Sequence, residues 1–118
     1  MASSLNVAVH QGLVYLNARV SPSQEVYWEV PAGRSFVLTD MTVQNKAPGD
    51  GPVPATNFTR FAITSPCGSD TFFHVVGNNT LSEHYITGLP IAGTFRFFNL
   101  GNSNAPFAEF HITGYLAD

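Results

Sequence analysis

The sequence predicts an all-β protein: a single antiparallel β-sandwich, jelly-roll or Greek-key, of eight to nine strands and with no helix longer than two turns. Three observations predict it. Apolar residues alternate with polar ones in segment after segment. The recurring types are Val, Ile, Thr, Phe and Tyr, which fit a pleated surface, and no window sustains the i, i+3, i+4, i+7 spacing of a helix. A chain of 118 residues fits one domain spanning residues 1–118 and is too short for two ordinary ones.

Taken in order, the segment 5–9 (LNVAV) reads as a short first strand. The run 13–20 alternates cleanly, with Val14, Leu16, Ala18 and Val20 on one face and Tyr15, Asn17 and Arg19 on the other. The run 24–30 does the same, with Val26, Trp28 and Val30 inward and Glu25, Tyr27 and Glu29 outward. Ser21-Pro22-Ser23 joins the two, so they are expected to form a hairpin. After Pro31-Ala32-Gly33 comes the long run 35–45, read with Val37, Thr39, Met41 and Val43 in one register. Asp40 is odd there, because a carboxylate inside an apolar strand needs solvent or a cation such as Arg34, Arg60 or Arg96.

Further strands are read at 58–65, with Phe61 and Ile63 together, and at 71–76, 83–88 and 94–99. The last, 107–116, places Ala108, Phe110, Ile112 and Leu116 inward and Glu109, His111, Thr113 and Tyr115 outward. Turns fall at 65–69, 77–80 and 88–93, and two longer Gly/Pro/Asn-rich segments at 46–57 and 99–106 read as loops. The segment 46–57 is expected to add little to the core.

Chemistry is sparse. Charged residues make up 11% of the chain, against a usual share of about 25%. A net charge of −3 with a single lysine argues against nucleic acid, which demands a basic footprint. No apolar stretch is long enough to span a membrane as a helix. The start MASSLNVAVHQG is not an intact signal peptide, and an extracellular or virion-associated location is the expectation. Cys67 is alone, so it forms no intrachain disulfide and reads as an inert turn thiol.

The four histidines, His10, His74, His84 and His111, form no His-x-His pair. Glu83 and His84 point to opposite faces of a strand, and Glu109 and His111 share an outward face, so no metal and no cofactor is expected. No Gly-x-Ser-x-Gly elbow or phosphate loop occurs. Glu25 and Glu29, on one strand face, are about 13 Å apart by strand rise, too far for paired-carboxylate hydrolysis. The domain therefore reads as non-catalytic.

Low charge and outward aromatics suggest self-association, with a homotrimer favoured and Tyr15, Tyr27 and Tyr115 as interface residues that form a strip if their strands are neighbours. Loops at sandwich ends carry recognition more often than the scaffold does. Asp50, Asn57, Asn78, Asn79, Asn102 and Asn104 are the candidate ligand contacts there, suited to sugar hydroxyls. The sequons at Asn57 and Asn78 matter only in a glycosylating pathway. Three readings compete: a lectin-like module with a glycan ligand leads, a structural subunit such as a virion or phage decoration protein follows, and a cupin-like metal enzyme comes third.

Overall fold

The computed structural model describes residues 5–46, 53, 58–64, 70–77, 79–100 and 107–118. It contains the strands β1 (Asn6–His10), β2 (Leu13–Val20), β3 (Glu25–Glu29), β4 (Ser35–Lys46), β5 (Phe58–Thr64), β6 (Asp70–Val76), β7 (Thr80–Ala92), β8 (Thr94–Asn99) and β9 (Phe107–Ala117). They form two antiparallel sheets, ordered β1-β2-β9-β4-β7 and β3-β8-β5-β6. With β1 set aside, the eight remaining strands interleave between the sheets as 1-8-3-6 and 2-7-4-5, which is the jelly roll. β1 is an addition to the edge of one sheet.

β2 and β3 do not form the hairpin expected of them. β2 pairs with β1 and β9, whereas β3 pairs with β8 in the other sheet. The segment between them is a corner: Ser23 takes φ 65° and its N–H donates to the Asn99 carbonyl, while the Gln24 N–H donates to Ser21. Chain direction thus changes sheet at the proline turn, where local pattern alone reads as a return. The true hairpin is β1–β2, closed by Gln11 and Gly12, both at positive φ (51° and 81°), as a type I′ turn requires.

β4 also departs from strict alternation. Its pairing with β9 steps from Leu38↔Gly114 to Asp40↔Thr113, so Thr39 is an extra residue in a β-bulge. Phe36 and Leu38 face the core before the bulge, and Met41, Val43 and Asn45 after it. Val37 and Thr39 therefore leave the inward register assigned to them. Val37 is still buried, but on the outer side, beside Gly88 of β7. A Cβ on Gly114 would stand 2.1 Å from the Val37 carbonyl oxygen, so β9 can approach β4 here only through glycine.

β7 runs through the segment 88–93 that the sequence marks as a turn. The chain turns at Gly93, φ 81°, while Leu89 to Ala92 stay paired with β4. Opposite Thr39 the β7 strand carries four residues, Tyr85 to Gly88, between the paired His84 and Leu89. Pro90 is tolerated because β7 is an edge, where a missing N–H costs no ladder bond.

Aromatic rings join the sheets. Phe110 of β9 stacks on Phe97 (4.4 Å between centroids), Phe97 on Phe61 (4.8 Å) and Phe61 on Phe73 (5.3 Å), linking β9 of one sheet to β8, β5 and β6 of the other. Trp28 packs edge-on against Phe36, partly buried as its inward register implied. Buried Asn45 donates to the carbonyls of Val75 (2.9 Å) and Gly77 (3.0 Å) and accepts from the Thr59 hydroxyl. Its polar atoms are thus paired, as burial demands. Val53, within the segment expected to add little to the core, is itself buried.

Candidate functional site

The outer face of the five-stranded sheet is concave where the β1–β2 hairpin, β9 and the β4 bulge meet. The depression, about 400 Å³, is lined by Ala8, His10, Leu13, Val14, Tyr15, Thr39, Thr113, Gly114 and Tyr115. Its origin is local. In register, His10, Leu13 and Tyr115 form one row across the strands, and Ala8, Tyr15 and Thr113 the next. Between them Gly114 belongs to the inward register and lines the groove with backbone alone, and the bulge displaces Thr39 from regular pairing. Large rings beside small residues leave a groove.

Its polar groups sit at the margin. Tyr15 hydroxyl and His111 Nδ1 are 2.5 Å apart. The Thr39 hydroxyl donates to the Thr113 carbonyl at 3.2 Å. Beyond Thr39, Asp40 and His84 Nδ1 meet at 2.7 Å on the surface. The hydrogen bond from His84 holds the Asp40 carboxyl below its ordinary value, and Thr39 and Thr113 add to the effect. Asp40 is thus a solvent-facing residue paired with histidine, not with any of the three arginines considered for it.

The interface tyrosines separate. Tyr15 and Tyr115 share the groove, whereas Tyr27 lies on the other sheet, paired with Arg96, so the three form no single strip. Of the loop candidates, Asn79 is exposed beside Gly77 and its backbone N–H donates to Val76 at 3.0 Å. Asp50, Asn57, Asn78, Asn102 and Asn104 lie outside the described residues, as do Cys67 and the turn at 65–69. Asn79, the one of these candidates among the described residues, does not line the groove.

Sequence reasoning missed His10, Leu13, Thr39, Thr113 and Gly114 as neighbours. The available signals were Gly114 inside an apolar strand and the parity change between Leu38 and Met41, each a mark of a bulge or close approach.

The histidines are dispersed: His10 in the groove, His74 on β6, His84 with Asp40 and His111 with Tyr15. Among the described residues no three His, Cys, Asp or Glu side chains converge as a metal site would need.

No family model and no curated protein matches the chain. Among solved structures it is similar to Peruvianin-I, a cysteine peptidase from Thevetia peruviana latex, at TM-score 0.47 and 9% identity over 97% of this chain and 61% of that one. It is also similar to an RmlC-like cupin protein from Desulfovibrio desulfuricans (TM-score 0.43, 6% identity, 96% of this chain and 82% of that one). A third is a protein with a double-stranded β-helix domain from Klebsiella pneumoniae (TM-score 0.42, 10% identity, 98% and 83%). The chain spans about three fifths of the Thevetia protein's length. Likeness this distant carries nothing about activity.

Proposed function

We propose that the domain is a non-catalytic binding module that takes a carbohydrate in the groove between Tyr15 and Tyr115. One observation carries the reading: a concave surface of about 400 Å³ in which two half-exposed tyrosines flank a glycine. That volume is in the range of small-molecule sites. A sugar ring offers an apolar C–H face that packs on an aromatic ring, and hydroxyls at its edge for the polar groups of Tyr, Thr and His. Apolar centre and polar margin match that division. The site on this reading is the sheet face, in place of the asparagine-rich end loops.

A glycan array followed by calorimetric titration tests it. Specific binding is expected, falling at least tenfold in Tyr115→Ala and unchanged in Tyr27→Ala, on the opposite sheet. A blank array, or binding insensitive to Tyr115, overturns it.

A second reading, an assembly subunit, is favoured by a separate observation. Val7, Val9 and Ile86 are exposed apolar residues, Ile86 at 90%, at the two edges of the five-stranded sheet. Such side chains are more economically explained by contact with protein.

A further inference from the structure

The two sheets do not have equal width, and the difference leaves β1 uncovered. Val7 pairs with Leu16 and Val9 with Val14, so all four point to the inner side of the sheet. Leu16 and Val14 are buried there, yet Val7 is 41% and Val9 49% exposed. Four strands opposite five leave the last one overhanging.

Among the described residues the backbone of β1 is equally open, with β2 as its neighbour on one side and no strand on the other. A type I′ turn closes on a hydrogen-bonded His10–Leu13 pair, and bonding alternates along an antiparallel ladder. Asn6, Ala8 and His10 therefore bond to β2, while Val7 and Val9 turn their N–H and C=O groups to the free edge. Natural edges are commonly protected by charge, proline or a bulge. Here the stretch 5–13 (LNVAVHQGL) has none of these, nor any Asp, Glu, Lys or Arg. The other edges do: β3 carries Glu25 and Glu29, β7 carries Glu83, Pro90 and its bulge, and β6 has Asp70 tied to Arg96 and Arg60 lying over Phe72.

We propose that β1 pairs antiparallel with β1 of a second copy, about a two-fold axis at Ala8. The strand is self-complementary in three independent respects. Its pattern, Asn-Val-Ala-Val-His, reads polar-apolar-small-apolar-polar in both directions. With Ala8 on the axis, Val7 faces Val9 of the partner subunit on the inner side, and Asn6 faces His10 of the partner subunit on the outer side. Those Val7–Val9 pairs are the positions whose amides and carbonyls point outward, so all four free groups of each strand find partners in this register. No charge meets a like charge, and the amide of Asn6 offers a donor and an acceptor to the imidazole of His10 of the partner subunit.

An arbitrary foreign peptide would satisfy the backbone alone; the second copy satisfies backbone, valines and polar pair together. Such an interface is isologous and closes at two chains, in place of the trimer expected from composition. It joins the two five-stranded sheets edge to edge and sets the two grooves, each lined by Ala8 and His10, side by side on one face. The proposal does not depend on what the groove binds.

Sedimentation equilibrium tests it on the full chain, from about 10 μM to about 1 mM, because a strand pair this short is smaller than the interfaces of tight dimers. The expected result is a shift from 12.8 kDa toward twice that mass. Val9→Pro removes a free-edge N–H without touching the ladder to β2, so the dimer should vanish with the circular dichroism unchanged. Val7→Lys should abolish it too, and serves if proline perturbs the strand. In a Cys67→Ser background, Ala8→Cys should form an intermolecular disulfide under mild oxidation, because axis-related residues in a non-hydrogen-bonded pair lie about 4.5 Å apart at Cα. His10→Cys, remote from its own symmetry mate, should not. A monomer at every concentration, a trimer, or a dimer indifferent to Val9→Pro and Val7→Lys overturns the proposal.

Discussion

The two edges of the five-stranded sheet are built in opposite ways. At β7 the strand is interrupted: Tyr85 to Gly88 fall outside the pairing with β4, Pro90 lacks a donor, and Val37 fills the space that a side chain on Gly88 would need. At β1 the strand is short, regular, uncharged and backed by a tight turn. One edge is closed to further pairing by its own sequence; the other is open and adjoins the groove. Sheet edges are costly to leave open in a soluble protein. An open edge next to a concave aromatic surface is why both proposals, the groove ligand and the β1 pairing, are placed at the hairpin end.

The largest expected effects break the bulge that separates the two edges. Gly114→Ala drives a Cβ against the Val37 backbone oxygen, which cannot move aside cheaply, and should cost about 3 kcal/mol. Gly88→Ala meets the side-chain Cγ1 of Val37 at 2.2 Å and also strains a φ of 79°, for about 2 kcal/mol. Gly12→Ala, in the hairpin turn with nothing within 4 Å, suffers backbone strain alone, about 1 kcal/mol. Urea unfolding ranks the three. If Gly12→Ala is the worst, the hairpin and not the bulge anchors this face.

Inner-face residues on the two edges sharpen the contrast. Ile91 on β7 is buried against the core, and Ile91→Ala should cost about 3 kcal/mol. Val9→Ala, on the overhanging strand, should cost the monomer less than about 0.5 kcal/mol while weakening the dimer. Dilute thermal melts and sedimentation separate these effects. Equal costs in the monomer would mean that β1 is covered in solution by the chain itself.

How much of this was legible follows the reach of local pattern. Strands with strict alternation, such as β2 and β9, can be read residue by residue, because a strand's faces are set by sequence parity. Parity fails at Thr39, where one extra residue returns Met41 to the face that Leu38 occupied. It fails again at Gly88-Leu89-Pro90, where turn-forming residues serve an edge strand. The corner at Ser21-Pro22-Ser23 looks like a hairpin because proline and serine signal a change of direction but not which sheet receives the chain. Tyr15 and Tyr115 could be found as outward rings, but their meeting, and the absence of Tyr27 from it, depends on strand order. Pairing across 96 residues, as between Tyr15 and His111, has no local signature.

The smallest expected effect concerns Asp40. Its carboxyl titrates below the ordinary 3.8 because of His84, so the pair contributes stability above that pH, and the contribution is lost as pH falls through the depressed value. The pair is exposed and its worth is slight. Asp40→Asn should therefore reduce, by a small margin, the drop in stability between about pH 5 and about pH 2. An identical acid profile in the variant would show that the pair adds nothing measurable to this face.

The central claim is that the groove at the hairpin end is the recognition surface. The most direct measurement is a backbone-amide NMR titration of the ¹⁵N-labelled protein with an oligosaccharide selected on the array. The prediction is saturable shifts centred on Ala8, Tyr15, Thr113, Gly114 and Tyr115. Shifts confined to Asn79 and the end loops, or to Tyr27 on the four-stranded sheet, would contradict it.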